Sequence, residues 1–232
     1  MIPTLNESGT IGAIIESLEK LRDPYQIRII IVDDGSTDGT IETVRESSKK
    51  HGNLTLIERD RKLGLGTAIR AGLQVALDLE PIPDFIVTMD ADRSHDPNEL
   101  SKLVEACKKD AMVVGSRYVK GGEIHGWGLY RKTMSQGANL IARALTGISI
   151  KDCSSGFRCY GSDLMGGLLP GLQSIGYDVQ IEILIKAARQ GFKITEKPII
   201  FRNRASGESK LRYGDMLNFI KRVFTLFRET SE

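Results

Sequence analysis

Arg28-Ile29-Ile30-Ile31-Val32-Asp33-Asp34-Gly35-Ser36 is the stretch of sequence that decides the fold. Its run of β-branched apolar residues ends abruptly at two aspartates. Continuous apolar runs of this kind are typical of strands buried on both faces, as in a parallel sheet. The pattern recurs at 85–89, which stops at Asp90, and at 112–115. The sequence therefore predicts several buried strands that end in polar residues.

Helical patterns separate these strands. The predicted helices cover 10–21, 37–50, 66–79, 98–109, 129–146, 179–190 and 215–228. Thr10, Thr37 and Asn98 are predicted N-caps. Pro198 interrupts a predicted strand at 192–201, which favours an edge strand or a bend. Strands that alternate with helices predict an α/β fold with a mostly parallel, open sheet flanked by helices.

Composition and charge exclude some classes of function. The 32 basic and 30 acidic residues leave a formal charge of only +2, which gives no support to nucleic-acid binding. Cys107, Cys153 and Cys159 lack metal-ligand spacing, so we interpret them as reduced thiols. No segment approaches the roughly 20 apolar residues needed to span a bilayer. We expect a first strand that is shortened or truncated, because only Met1 and Ile2 precede Pro3.

Two acidic motifs lie at predicted strand ends. Ligands of an open α/β sheet bind beyond the carboxyl ends of its strands, where Asp33-Asp34 and Asp90-Ala91-Asp92 both fall. Hard divalent cations take oxygen ligands, and Mg²⁺ combines one or two carboxylates with substrate phosphates; Mn²⁺ accepts similar ligands. A solvated or capped turn is the alternative for each motif alone. Their shared position at one sheet edge favours a ligand site.

Basic residues and glycines form further candidate groups. Arg117 follows a predicted strand, and Arg131 and Ser135 lie on the next predicted helix, where they can bind a phosphate. Arg204 and Lys210 belong to a basic segment that predicts either a loop closing on an anion or a solvated surface loop. We interpret Gly64-Leu65-Gly66 as mainly conformational, and His95 as a loop histidine hydrogen-bonded to the backbone.

Together these motifs resemble glycosyltransferase family 2, and more closely its dolichol-phosphate mannosyltransferases. They follow the family order from residue 3 to about 211. The matching motifs are Pro3-Thr4-x-Asn6-Glu7, Val32-Asp33-Asp34-Gly35-Ser36-x-Asp38-Gly39-Thr40, Lys62-Leu63-Gly64-Leu65-Gly66, Met89-Asp90-Ala91-Asp92-x-Ser94-His95, Gly115-Ser116-Arg117-Tyr118, Trp127-Gly128-Leu129-Tyr130-Arg131-Lys132, Asp152-x-Ser154-Ser155-Gly156-Phe157-Arg158, Gly176-Tyr177 and Ser209-Lys210-Leu211.

The resemblance implies a GT-A-type nucleotide-sugar transferase fold and a role for each matching residue. Metal would be held by Asp90, Asp92 and Ser94, and the phosphate of a lipid acceptor by Arg117, Arg131 and Ser135. Asp92, Arg117 and Arg131 would be catalytic. The family often has Tyr at the position of Leu5, which weakens the expectation of base stacking there. The donor would be bound by Pro3, Leu5, Glu7, Val32, Asp34, Asp90, Ala91, Asp92, Ser94, Arg117, Arg204 and Lys210.

The function implied by the resemblance is an inverting, metal-dependent transfer of mannose from GDP-mannose to dolichyl or another polyprenyl phosphate. Mg²⁺ or Mn²⁺ would be the cofactor. Two alternatives stay open. A sister enzyme would use a UDP-sugar such as UDP-glucose, and a non-catalytic protein of the membrane surface would only bind a nucleotide.

The expected domain organisation is a catalytic domain at 1–211 and an amphipathic interface helix at 212–232. The helix predicts peripheral attachment to the cytoplasmic face of a membrane or to a small membrane-anchoring subunit. That membrane would be the endoplasmic reticulum in a eukaryote and the plasma membrane in a prokaryote. Packing of the helix on the domain itself is the alternative.

Overall fold

A computed structural model describes residues 1–23, 25–203 and 223–225. The strands are β1 (Ile2–Thr4), β2 (Ile29–Asp33), β3 (Leu54–Glu58), β4 (Phe85–Thr88), β5 (Ala111–Ser116), β6 (Glu123–His125), β7 (Arg158–Gly161), β8 (Lys193–Pro198) and β9 (Ile200–Arg202). The helices are α1 (Ile11–Glu19), α2 (Thr40–His51), α3 (Leu65–Leu77), α4 (Leu100–Val104), α5 (Leu129–Thr146), α6 (Ser162–Leu168) and α7 (Val179–Arg189). Short 3₁₀ turns cover Pro97–Glu99 and Leu169–Gly171.

The central sheet is mostly parallel. One group of strands has the order β3-β2-β1 and the other the order β4-β7-β5-β8. Met1 joins the groups, because its ammonium donates to the Val87 carbonyl at 2.7 Å and its carbonyl accepts from Met89 N–H at 3.2 Å. Within these two groups, β7 is the strand that runs antiparallel to its neighbours. A separate pair joins β6 to β9. The predicted open α/β sheet is confirmed.

The apolar run at 29–32 places β2 inside the sheet. Ile30 and Val32 belong to the core on the α3 face, and Ile29 and Ile31 belong to the core on the α1 face. No side chain of the four is more than 3% exposed. Burying each one contributes about 1.5–3 kcal/mol. The alternation explains why an uninterrupted apolar run forms a strand that helices cover on both sides.

The predicted N-cap at Thr37 is wrong. Helix α2 begins at Thr40, and its N-cap is Gly39, which has a left-handed conformation with φ 94°. Asp38 supplies the oxygen that caps the first turn, because it accepts the Thr40 N–H at 3.1 Å and the Ser8 N–H at 3.0 Å. Although burial raises the pKa of Asp38, these hydrogen bonds lower it to about 2.

The helix predicted at 98–109 is shorter and starts differently. Asn98 lies in a 3₁₀ turn, and its N–H donates to the Asp96 carboxylate at 2.9 Å, so Asp96 is the cap. The α-helical part covers only Leu100–Val104. No strand was predicted at Leu54–Glu58 or Arg158–Gly161, which form β3 and β7. Pro198 ends β8, which lies at the sheet edge as predicted.

The C-terminal predictions fall largely beyond the described residues. Arg204 and Lys210 lie outside them, as do all of 212–232 except 223–225, which are helical. Val223 is fully buried in the same core cluster as Ala142 of α5. Within the described ranges, no helix combines the length and the hydropathy needed to cross a bilayer.

Candidate active site

A cavity of about 130 Å³ opens at the carboxyl ends of β1, β2 and β4. Most residues predicted to bind the donor line it. Val32, Ser94 and Arg117 are instead buried residues that do not line it. Five lining residues were not predicted to bind the donor: Thr4, Lys62, Leu65, Ala68 and Tyr177. The lining residues are Pro3, Thr4, Leu5, Glu7, Asp34, Lys62, Leu65, Ala68, Asp90, Ala91, Asp92 and Tyr177.

The loop that carries Asp90 and Asp92 is held in one conformation by hydrogen bonds. The Asp92 Oδ1 accepts the Ser94 N–H at 3.0 Å, and Arg93 between them has a left-handed φ of 62°. Thr10, the N-cap of α1 as predicted, donates its hydroxyl to the Ala91 carbonyl at 2.6 Å. The loop therefore presents both carboxylates at the cavity.

The buried side chain of His95 stabilises the loop that carries Asp90 and Asp92. Its Nδ1 accepts the Asp90 N–H at 3.1 Å, so the ring is neutral with its proton on Nε2. The ring stacks on Phe157 at 5.1 Å and meets Phe201 edge-on at 5.5 Å. Burial lowers the pKa of His95, although the charge of Asp90 opposes this. The interpretation of His95 as a loop histidine bonded to the backbone is confirmed.

The donor atoms around Asp90 fit a hard divalent cation. Asp90 and Asp92 supply carboxylate oxygens, and the buried Ser94 hydroxyl has no hydrogen-bond partner. The described residues contain no group of three or more His, Cys, Asp or Glu side chains arranged for a metal. Two carboxylates suffice for Mg²⁺ or Mn²⁺ when substrate phosphates and water complete the shell. The site therefore suits a metal that enters together with a diphosphate.

Gly156 packs against Asp90, and the absence of a side chain on Gly156 leaves space for the Asp90 carboxylate. A Cβ on Gly156 would lie 3.2 Å from the Asp90 Oδ1, which is tighter than an ordinary van der Waals contact. The Gly156 carbonyl accepts the Thr88 hydroxyl at 2.8 Å, which fixes the approach of this segment to the end of β4. The sequence places Gly156 in a motif, but only the structure shows that Gly156 lies beside Asp90.

Asp33 is a structural residue of the β2 end. Its Oδ1 accepts the N–H groups of Gly35 at 3.1 Å and Ser36 at 2.7 Å. Its Oδ2 accepts the hydroxyls of Thr4 at 2.9 Å and Ser36 at 2.6 Å. The side chain is fully buried. Asp33 therefore fixes the turn after β2 against β1, which agrees with the turn interpretation for this aspartate.

Asp34 lines the cavity and also holds its opposite wall. Its carboxylate accepts Leu63 N–H at 2.8 Å and Gly64 N–H at 3.0 Å. Arg59 lies 3.2 Å away and supplies a countercharge. Gly64 has a left-handed φ of 103°, which an L side chain rarely adopts. Asp34 therefore shapes the predicted donor site by positioning the loop at 62–66.

The loop at 62–66 packs directly on the segment at 173–177. The Gly66 N–H donates to the Ile175 carbonyl at 2.7 Å. A Cβ on Gly66 would lie 2.3 Å from the Ser174 carbonyl oxygen, so only glycine permits this approach. The conformational interpretation of the glycines is confirmed. This packing carries Tyr177 to the cavity.

Glu182 of α7 anchors the segment at 173–177. Its carboxylate accepts the N–H groups of Gln173 at 2.9 Å and Ser174 at 2.8 Å, and it pairs with Lys186 at 2.9 Å. Although burial raises the pKa of Glu182, the hydrogen bonds from Lys186 and the backbone lower it. An ionised Glu182 therefore holds the wall of the cavity that includes Tyr177.

Arg117 is buried and fully paired with Asp152. Its Nε and Nη2 donate to the two Asp152 oxygens at 2.7 Å each, and its backbone N–H adds a bond at 3.0 Å. Burial lowers the pKa of Arg117, but the charge and hydrogen bonds of Asp152 outweigh it and raise the pKa above its usual value. The pKa of Asp152 is lowered, because Arg117 overcomes the effect of burial. Asp152 is a partner that sequence reasoning missed.

Two of the three predicted acceptor-phosphate residues, Arg117 and Arg131, come together around Trp127. The guanidinium of Arg131 lies 4.1 Å from the centre of the Trp127 ring, and that of Arg117 lies 5.3 Å from it. Ser135 accepts the Tyr118 hydroxyl at 2.7 Å. The charge of Asp90 contributes to the raised pKa of Arg117. Arg117 therefore lies within electrostatic reach of Asp90.

Comparison with known proteins identifies the family of this chain. The family model of glycosyl transferase family 2 matches residues 1–166. The chain belongs to glycosyl transferase family 2. The family predicted from the sequence motifs is thereby confirmed, and so is the prediction of a glycosyltransferase enzyme.

Two curated relatives cover most of this family 2 chain. A dolichol-phosphate mannosyltransferase from Pyrococcus furiosus is 35% identical over 235 residues, which cover 100% of this chain and 64% of the relative. An undecaprenyl-phosphate mannosyltransferase from Micrococcus luteus is 36% identical over 216 residues, or 92% of this chain and 87% of the relative. The chain therefore spans less than two thirds of the length of the first relative.

A solved structure of another sugar-nucleotide-binding protein shares the fold. Glucosyl-3-phosphoglycerate synthase from Mycobacterium tuberculosis, determined with Mn²⁺, UDP and glucosyl-3-phosphoglycerate, superposes with a TM-score of 0.68 at 22% identity. The match covers 97% of this chain and 76% of that chain. It confirms the predicted GT-A-type fold, and the roles of the individual site residues stay predictions.

Proposed function

We propose that this chain transfers mannose from GDP-mannose to the phosphate of dolichol or another polyprenol, with inversion at the anomeric carbon. The names of both curated relatives support mannosyl transfer to a polyprenyl phosphate. The observation that carries the proposal is the arrangement of opposite charges. Asp90 and Asp92 line the donor cavity, and Arg117 and Arg131 gather beside it around Trp127.

In this proposal a phosphate oxygen of the acceptor attacks the anomeric carbon while the bond to the donor diphosphate breaks and GDP leaves. Asp90, Asp92 and Ser94 would hold a divalent metal ion, which would supply positive charge to offset that of the diphosphate. Arg131 and Arg117 attract the acceptor phosphate and offset its repulsion by the diphosphate. A phosphate monoester is already ionised at pH 7, since its second pKa is about 6. The reaction therefore needs no strong general base.

Substitution of Asp92 tests the proposal that this residue binds a metal. Asp92→Asn should abolish transfer, because it removes charge from the oxygen donors of the metal. Asp110→Asn, at an exposed aspartate remote from the cavity, is the matched control and should keep wild-type turnover. Near-normal turnover of Asp92→Asn with Mn²⁺ or Mg²⁺ would sink the metal proposal.

The guanine base is proposed from the resemblance of the sequence motifs and needs its own test. A ligand that binds only the native state at roughly 100 times its dissociation constant adds about 2.7 kcal/mol to stability. In a chain of this size that raises the melting temperature by about 5–11 °C. We expect this shift with GDP and Mn²⁺ and a smaller one with UDP and Mn²⁺. A larger shift with UDP would favour the UDP-sugar alternative.

A non-catalytic nucleotide-binding protein is the alternative of another class. Such a protein would need the part of the cavity around Asp34 to bind the nucleotide, but it would not need Arg131 beside Arg117 because it has no acceptor phosphate to bind. Radiolabelled sugar nucleotides and a short polyprenyl phosphate decide between the two. Transfer from GDP-mannose supports the enzyme proposed here, and absence of transfer from any donor favours the binding protein.

We also propose that Arg204 and Lys210 contact the donor and that 212–232 attaches the chain to a membrane surface or to a small membrane subunit. The acceptor named for both relatives is a lipid phosphate, which supports a membrane setting. Flotation with liposomes, with and without 215–232, tests the attachment. Unchanged binding after the deletion would assign that segment to another role.

A further inference from the structure

The side chain of Phe201 on β9 lies between the two halves of the candidate active site. It is 9% exposed, yet it belongs to neither of the two hydrophobic core clusters in the part of the chain that the structure describes. A buried ring ordinarily joins such a cluster of apolar side chains. The ring of Phe201 lies instead against side chains of the site, namely His95, Trp127 and Arg117.

One edge of Phe201 faces the aspartate loop. Its ring meets the His95 ring edge-on, with 5.5 Å between the ring centres and 75° between the planes. The Nδ1 of His95 accepts the Asp90 N–H at 3.1 Å. The backbone of β9 adds a second link, because the Arg202 N–H donates to the Ser94 carbonyl at 3.1 Å. Strand β9 therefore stabilises the loop at two points, at Asp90 through His95 and at Ser94 directly.

The other side of Phe201 faces the acceptor-phosphate arginines. Its ring meets the Trp127 ring edge-on, with 5.3 Å between the ring centres and 71° between the planes. The guanidinium of Arg131 lies 4.1 Å from the centre of Trp127. The guanidinium of Arg117 lies 5.3 Å from the centres of both rings. A cation within about 6 Å of an aromatic centre is attracted by the ring, so the two rings hold both arginines.

The backbone also ties Trp127 to β9. Strand β6 pairs with β9, and the Asn203 N–H donates to the His125 carbonyl at 2.9 Å just before the turn to Trp127. Gly126 in that turn has a left-handed φ of 79°, and a Cβ on it would lie 2.7 Å from the Asn203 Cβ. The chain that leads to Trp127 therefore follows β9 closely.

We propose that Phe201 is a positioning residue that fixes the aspartate loop and the acceptor-phosphate arginines relative to each other. Phe201 does not line the donor cavity. It acts on the loop through His95 and on Arg131 through Trp127. Relative placement matters because a displacement of about 1 Å between reacting groups can cost about 100-fold in rate. The inference rests on the proposed function and adds a residue to it.

Two affinities of the full chain test the proposal without any transfer of sugar. Calorimetry measures Mn²⁺ binding in the presence of GDP without acceptor, and binding of a short polyprenyl phosphate without metal. Phe201→Leu removes both edge-on ring contacts, and each such contact contributes about 2- to 13-fold in an equilibrium constant. We therefore expect each affinity to fall by about that factor.

Two further variants serve as controls. Phe201→Tyr keeps the ring and should retain both affinities within about twofold. Phe85→Leu makes the same substitution at the opposite end of β4 from Asp90 and should bind both ligands like wild type. The fluorescence of Trp127, the only tryptophan of the chain, should change in Phe201→Leu and not in Phe85→Leu. If Phe201→Leu does not fold, Phe201→Met carries the same expectations, because methionine fills irregular space in a buried site.

The inference fails, and the proposed function stands, if the wild type binds both ligands and Phe201→Leu loses neither affinity or only one. An equal loss of both affinities in Phe85→Leu would also overturn it, because the effect would then be one of general stability. So would an equal loss in Phe201→Tyr, because the ring would then not be what positions the site. Absence of both binding events in the wild type would overturn the proposed function itself.

Discussion

Removal of the carboxylate partner of Arg117 is the perturbation with the clearest expected magnitude. Asp152→Asn keeps the size of the side chain but removes the charge that two guanidinium nitrogens contact at 2.7 Å. Asp152 is completely buried and Arg117 is 8% exposed, so water cannot replace the lost countercharge. The variant isolates the contribution of Asp152 to the cationic cluster at Trp127.

Breaking a buried ion pair by removing one partner costs about 3–5 kcal/mol, because the remaining charge is left uncompensated. The free energy of unfolding of a typical domain is about 5–15 kcal/mol, so the variant should fold with reduced stability. In a chain of this size the melting temperature should fall by about 6–20 °C. Since the pKa of Asp152 is lowered in the fold, its contribution is present above the ordinary value of about 3.9 and is lost as the pH falls through the folded pKa.

Urea unfolding at neutral pH measures the effect. The matched control is Asp84→Asn, which breaks a pair of the same kind with Lys109 at 2.6 Å, in which both side chains are more than 60% exposed. Exposed pairs contribute little, so this control should unfold like wild type. Adding Arg117→Met to Asp152→Asn should recover part of the lost stability, because no buried charge then remains.

Two results would refute the reasoning. A loss below about 1 kcal/mol in Asp152→Asn would mean that Arg117 is solvated or finds another anion. The second result concerns the double variant. If Arg117→Met lowers the stability of Asp152→Asn by the full cost of truncating a buried side chain, the two residues contribute to stability independently.

The remaining predictions concern the aspartate loop and the wall of the donor cavity. Gly156→Ala should push on Asp90 and weaken Mn²⁺ affinity by about tenfold in a metal titration with GDP; Gly128→Ala, with open space around its position, should not. Burial lowers the pKa of His95, so the unfolded state binds more protons below about pH 6.5. Stability should therefore fall as the pH is lowered through about 6.5, and urea midpoints should depend less on pH in His95→Asn. Glu182→Gln should cost about 1.5–3 kcal/mol in urea unfolding and raise the donor KM; an unchanged KM would remove Glu182 from the site.

The position of the donor site could be predicted from the sequence because it depends on local patterns. The apolar run at 29–32 and the run at 85–89 each end at aspartates, and parallel strands bring such ends to one edge of a sheet. Asp34 and Asp90 accordingly line one cavity. The glycines at 64 and 66 were also interpretable, because their spacing indicates a backbone requirement.

Partners that are distant in sequence could not be predicted in the same way. Asp152 is 35 residues from Arg117, and nothing in local periodicity links the two. Strand β3 was missed because its middle residues are only partly buried, so it lacks the continuous apolar run that marks β2. The cap of α2 was placed at Thr37 by residue type, whereas the left-handed Gly39 and the carboxylate of Asp38 set the start of the helix.

The reversed direction of β7 has a consequence for how the specificity of this protein can change. Because Arg158 at the start of β7 pairs with Thr88 at the end of β4, the segment just before β7 reaches the same rim as the aspartates. Asp152 and Gly156 therefore arrive from the second half of the chain, while most of the residues that line the donor cavity come from the first half. Changes of sequence at 151–154 can alter the surroundings of Arg117 without changing Gly156, which lies against Asp90, so the acceptor side can be adjusted separately by evolution or by design.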